Sequence, residues 1–233
     1  MQTPSTLYQQ ILADHNHYFE VAVEIGGVRY TDDQIFKLTT NIEMFGRKPE
    51  LGKALAQKME LQMLQPAETI PTMAAVTVYA RACTGALQSE WLKQGIFYID
   101  TRSTDISYDG MQLLTLHGFD AMLKTEQDYA TTSLTWPARD VDIVREIASK
   151  IGITVDARTI ADMTDGRTFP LPTGYTMREY LGIIAAEYLG CFIITELGQL
   201  RLVSLTGLPK ETNYLIDREG NYITFGGDRI LIG

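Results

Sequence analysis

The sequence predicts an α+β chain: an antiparallel β-barrel-like domain, about residues 1–125, followed by a small helix–helix–hairpin domain, about residues 126–207. Three observations predict it. Up to about residue 125, apolar and polar residues alternate with period two between Gly, Pro and Asp-Gly turn signals, as in the short strands of a barrel or sandwich. Beyond it the apolar spacing becomes three and four, the period of a helix packed on one side. Residues 208–233 are turn-rich and then apolar again, which reads as the start of a further β module.

The elements follow in order. In YFEVAVEIGGVRY, Phe19, Val21, Val23 and Ile25 alternate with Tyr18, Glu20, Ala22 and Glu24. Gly26-Gly27 supplies the positive φ that a tight hairpin needs. Phe36, Leu38, Thr40, Ile42 and Met44 continue the alternation on a second strand, and GRKPELGKAL reads as a loop or short helix. Met59, Leu61 and Met63 share the face of a third, and Pro66 and Pro71 bracket a turn. MAAVTVYARAC is a strand closed by Thr84-Gly85, and GIFYIDTR and MQLLTLHGF are two more, joined across Asp109-Gly110.

Trp136-Pro137 marks the change of character. Pro137 suits the first turn of a helix, with Asp140 at the positive end of its dipole. Val141, Val144, Ala148 and Ile151 form the apolar face, and Gly152 closes it. Residues 157–174, with two prolines and two glycines, read as a loop. Thr176 and Glu179 make a capping box whose loss costs about 1 kcal/mol. Tyr180, Leu181, Ile184, Ala185 and Tyr188 carry that helix to Gly190, and CFIITELGQLRLVSL is a hairpin turning at Leu197-Gly198. NYITFGGDRILIG, with GGDR as a tight turn, stops in a strand with no partner left, as if it belonged to a module removed or supplied by another chain.

Composition excludes some function classes. A net charge of −9 over 233 residues argues against nonspecific binding to DNA, RNA or anionic membrane, which rests on Lys and Arg neutralising phosphates. It also suits the wall of a passage along which nucleic acid slides without sticking. Cys83 and Cys191, in strand-like segments, read as buried thiols rather than a disulfide, as in a reducing cytoplasm. The N-terminus lacks signal-peptide character, and no apolar run approaches the ~20 residues that span a bilayer.

The candidate chemistry concentrates in residues 94–124, which carry Asp100, Asp109 and His117. Alternation puts Asp100 on the face of Ile96 and Tyr98, and His117 with Met111, Leu113 and Thr115. Two carboxylates serve acid–base work only when folding brings them within about 5–10 Å. Asp109 before Gly110 is first a turn residue, and Asp120 sits where a strand gives way to a short helix that it can cap. These aspartates therefore read as structural. Asp14, His15, Asn16 and His17 offer two imidazoles at i, i+2, and a metal-dependent hydrolase would need a third ligand such as Asp100. Trp91 and Trp136 would be the stacking platform of a carbohydrate- or host-surface-binding module. Phe97, Tyr98 and Phe119 could stack bases, but no basic groove accompanies them. Nucleophile elbows, phosphate loops and zinc-spaced cysteines are missing. The expectation is a chain with no catalytic, cofactor or metal residues.

VEIGGVRYTDD, ELQMLQPAETIPTMAAVTVYAR, SEWLKQGIFYIDTRSTD and TLHGFDAMLKTEQ together resemble the N-terminal part of phage tail hub proteins, in particular those of phages and prophages of Gram-positive bacteria. WPARDVDIVREIASKIGI and GYTMREYLGIIAAEYLGCFIITELGQLRLV look like the helical module that follows the first barrel in that family. The resemblance covers about residues 18–205 and implies a homotrimer around the tail axis, with two barrel modules per subunit matching a six-fold tube to a three-fold tip. Its implied partners are other copies of the chain and the tube, distal tail or tip proteins, in a virion assembled in the bacterial cytoplasm. This chain departs from the pattern in showing one barrel and at most the beginning of a second. The peptidoglycan-degrading or receptor-binding region common in the family is not seen, so no enzymatic residues carry over.

Overall fold

The structure, a computed structural model, describes residues 2–42, 51–85, 87–106, 110–163 and 166–204, together with the backbone of four residue pairs between 213 and 232. Helix α1 (Thr6–Leu12) is capped by the Ser5 hydroxyl. Then come β1 (Tyr18–Ile25), β2 (Val28–Thr31), β3 (Ile35–Asn41), β4 (Lys53–Ala54), β5 (Lys58–Leu64), β6 (Ala75–Thr84), β7 (Leu87–Gln88), β8 (Leu92–Ile106) and β9 (Gln112–Phe119). A 3-10 helix at Ala121–Glu126 leads to β10 (Ala138–Arg139), α2 (Asp140–Lys150), α3 (Ala157–Asp162), β11 (Thr168–Phe169), α4 (Met177–Glu187), β12 (Gly190–Ile194) and β13 (Leu200–Ser204).

The antiparallel strands form one sheet in the order β2-β1-β6-β8-β9-β5-β3, with β7 against β6. The alternation explains its shape. Val23, Ile25, Met59, Leu61, Met63, Val76, Val78, Phe97, Ile99, Leu114 and Leu116 all point to one side and form a single buried cluster. Tyr30, from one end strand of the order, and Ile35 and Leu38, from the other, join that cluster. The sheet therefore curls on itself. Among the described residues no ladder joins β2 to β3, so the curl is a half-barrel, and the predicted α+β barrel-like class holds.

A second cluster gathers the apolar faces of α2 and α4 with Phe192, Ile194, Leu200 and Leu202 of the β12–β13 hairpin. Val141, Val144, Ala148 and Ile151 are buried as their spacing predicts, and Gly152 has φ +77. The capping box at Thr176 and Glu179 is present in both directions. Cys83 and Cys191 are buried in β6 and β12 without a disulfide.

Other expectations need correcting. Phe36 does not share the inward face of Leu38: a register shift between Ile35 and Lys37 inserts one residue, and Phe36 is left 52% exposed. The segment read as loop or short helix contributes β4, which runs parallel to β12 in the other sheet. Close approach requires glycine there, since a Cβ on Gly182 of α4 would lie 2.8 Å from the Gly52 carbonyl oxygen. Pro137 is outside helix α2, because Ala138–Arg139 first pair with Thr168–Phe169, and Asp140 opens the helix. The 157–174 loop contains α3, six residues capped by Asp156 and too short to show a period. The terminal strand does have a partner: Leu231–Ile232 pair with Asn213–Tyr214, around a ladder of Thr224–Phe225 with Asp228–Arg229. Met44 of the alternation, the turn residue Asp109 and Gly226-Gly227 of the GGDR turn lie outside the described residues.

The end of α4 also differs. The positive φ falls on Leu189, at +48, and not on Gly190. Gly190 is needed for space, because a Cβ there would stand 2.5 Å from the Val203 carbonyl oxygen. Leu189 is 52% exposed, so its side chain contributes little burial to offset a left-handed backbone. Leu189→Gly is expected to raise stability by about 1 kcal/mol, a rise of roughly 2–4 °C in Tm by calorimetry.

Candidate assembly surface

The residues singled out for chemistry are spread by the sheet rather than gathered. β8 and β9 shift register between Ile99 and Thr101, and Asp100 is the extra residue of that bulge. It is exposed, opposite in sense to the buried Phe97 and Ile99, as the alternation requires. The bulge also explains Gly118: a Cβ there would lie 2.5 Å from the Tyr98 carbonyl oxygen. His117 faces outward in a row across four strands, opposite Glu60 on one side and Thr101 on the other, with Thr39 beyond Glu60. Lys37 donates to Glu60 at 2.6 Å and holds its carboxyl below the usual range.

The histidine pair belongs to a turn. Asp14 accepts from the Asn16 N–H at 2.8 Å and from the Thr84 hydroxyl at 2.9 Å, and His17 Nδ1 lies 2.6 Å from the Asp14 carbonyl. Tyr18 is opposite Cys83, whereas Tyr98, two residues before Asp100, is opposite Ala75. Eight residues of β6 thus separate the two places, about 26 Å at the rise of a strand. Among the described residues, no group of three His, Cys, Asp or Glu side chains could hold a metal ion. The structure does not bring His15, His17 and Asp100 together.

Neither tryptophan offers a bare platform. Arg29 and Arg81 each sit 4.5 Å from the Trp91 ring, and Arg81 donates from Nε to Glu20 at 2.7 Å. Trp136 packs edge-on against Tyr129 and Tyr180, both at 6.3 Å, on the second core. Phe97 is fully buried, and Lys124 lies 3.7 Å over Tyr98. Of the buried aspartates, Asp156 caps α3, and Asp120 is a cap as expected, its carboxylate accepting from Met122 N–H at 3.0 Å, whereas Asp140 opens α2 and accepts from the Val141 N–H and the Tyr188 hydroxyl.

Sequence reasoning missed Glu146. This α2 side chain accepts hydrogen bonds from the Tyr129, Thr132 and Ser133 hydroxyls and from the Ser133 N–H at 2.6 Å. Burial pushes its carboxyl up, but these donors together hold it below the usual range. They lie 13 to 17 residues away, beyond any local spacing rule.

What the barrel leaves open are its edges. β2 covers β1 only from Ala22 onward, so among the described residues Tyr18–Val21 have no neighbouring strand on that side, although Asp32 accepts the Val21 N–H at 3.0 Å. Among the described residues β3 is paired only with β5. Phe19, Val21, Leu38 and Thr40 face one another across the gap, over Val78 and Ala80. Unpaired strand edges flanking an apolar floor are the kind of surface another chain can pair with or cover.

No family model matches the chain, and no curated protein matches it. Solved structures do. A 43 kDa tail protein of prophage MuSo2 from Shewanella oneidensis aligns over 85% of this chain with TM-score 0.56 and 18% identity. A tail protein from Neisseria meningitidis MC58 aligns over 88% with TM-score 0.55 and 12% identity. The chain has the fold of these tail proteins. It spans 59% and 58% of their lengths, respectively. At such identities the tail-protein fold is shared while side chains have diverged, so no residue role passes across. No described helix is long and apolar enough to cross a membrane.

Proposed function

We propose that this chain is a structural component of a bacteriophage or prophage-derived tail, a baseplate or tail-tip hub subunit that joins the tube to the tip around a DNA-conducting channel. The observation that carries this reading is the alignment of the half-barrel and its helical layer with two tail proteins over more than four-fifths of the chain. The sequence motifs also resemble tail hub proteins, those of phages and prophages of Gram-positive bacteria. The open edges of the half-barrel suit a protein that works by contact with others, and they are the surfaces offered to neighbouring tail proteins. A net charge of −9 favours a wall from which phosphates slide.

The domains of this reading are a barrel over 1–125, a helix–helix–hairpin unit over 126–207 and a β segment over 208–233. The assembled form is a homotrimer, in which paired barrel modules reconcile three-fold with six-fold symmetry. Electron microscopy of particles labelled on this chain should place the label at the tail tip, and label on the capsid or along the shaft would overturn the reading. Native mass measurement of the full protein should give three copies, whereas a stable monomer at working concentration would remove the trimer.

A further inference from the structure

The joint between the two cores carries a buried carboxyl for which an assembly role has no use. β9 ends in the barrel at Phe119, and Ala121 and Met122 already belong to the second core. Gln57 sits on the other crossing, between β4 in the second sheet and β5 in the first. Asp120 fastens the two crossings together. Its N–H donates to the Gln57 carbonyl at 3.0 Å, Gln57 N–H donates to its Oδ2 at 2.9 Å, and Met122 N–H donates to its Oδ1 at 3.0 Å.

The residue is 2% exposed. Arg178 of α4 is the cation that acts on it, but that guanidinium is shared with Glu126 and the Ala54 carbonyl. On its own helix Lys124 lies over Tyr98 of β8, β5 opens with Lys58, Asp100 of β8 is exposed, and β12 carries no charged residue. The carboxylate is thus a buried charge only partly compensated, and opening the joint returns it to water.

We propose that Asp120 is a proton-operated latch, holding the two cores together more tightly when protonated. Protonation gives up one acceptor facing an N–H but removes the desolvation of the charge, which is the larger cost at a site this buried. The sign follows from linkage. Burial pushes the folded-state carboxyl up to about 6, so the closed joint binds the proton more tightly than the open one does. Closure is strongest below the ordinary carboxylate range and weakens as pH rises through the folded value.

Amide hydrogen exchange by NMR tests this in the full chain. Protection of Gln57, Asp120 and Met122 should fall about tenfold between pH 5 and 7 after correction for intrinsic rates. Leu61 and Ile147, inside the two cores, should not follow. The dependence should vanish in Asp120→Asn and in Asp120→Ser, which keeps a capping oxygen. Should both variants fold poorly, the carboxyl carbon of the wild-type chain still decides, with a midpoint near 6 expected. A midpoint below about 4.5, flat protection, or the same pH dependence in both variants would overturn the latch. The inference stands apart from the tail assignment, since it concerns one joint within one chain.

Discussion

Gly118→Ala is expected to lower Tm by about 6–12 °C, because the added Cβ meets backbone rather than a movable side chain. It would lie 2.5 Å from the Tyr98 carbonyl oxygen, 3.1 Å from its carbon and 3.5 Å from Ile99 Cα. Relief requires β8 and β9 to part at the bulge that holds Asp100, in the middle of the sheet order. Overpacking of this kind costs about 3 kcal/mol or more, and about 2–4 °C accompanies each kcal/mol in a chain of this size. Gly110→Ala is the control: its site has φ +78 but nothing within 4 Å, so it should cost only the backbone strain, about 1 kcal/mol. Equal losses for the two, by calorimetry, would mean that β8 and β9 have room at Gly118.

Glu146→Ala should cost about 3 kcal/mol and loosen the connector at 129–134. Four donors lose one carboxylate: the phenol of Tyr129, the hydroxyls of Thr132 and Ser133, and the Ser133 N–H. Hydrogen bonds to a charged acceptor are worth about 1.5–3 kcal/mol each where water is excluded, less at the exposed Ser133. Lys150, which lies over Tyr129 and donates to the Thr131 carbonyl, holds the same stretch and limits the damage. Glu146→Gln should fall between, since its amide keeps one acceptor oxygen and turns an N–H toward the remaining donors. Denaturant unfolding checks the order wild type, Gln, Ala. Little loss on alanine substitution would mean that water replaces the carboxylate.

The resemblance and the structure agree on the fold, and the reason can be followed in particular residues. Met59, Leu61 and Met63 point inward because a pleated strand turns every second side chain to the same face. The Thr176–Glu179 box caps α4 because both partners lie within one helical turn. Asp120 was legible as a cap for the same reason. Phe36, Pro137 and Leu189 went otherwise because a bulge, a two-residue ladder to Thr168–Phe169 and a crowded Gly190 acted on them from outside their own segments. The candidate site was legible only in part: Asp120 read correctly as a cap, but the bulge at Asp100 and the open edges of the barrel have no signature in spacing.

By itself the sequence determined the local period, the caps and the turns, and with them the existence and order of most strands and of helices α2 and α4. Their information is carried within a few residues, where covalent geometry fixes which side chains meet. Only the tertiary structure decided that β4 crosses to the second sheet, that Glu146 gathers the connector, that Trp91 lies between Arg29 and Arg81, and that Asp120 ties the two cores together. Those contacts join residues 10 to more than 100 positions apart, and their free energy depends on a packing that no local window contains.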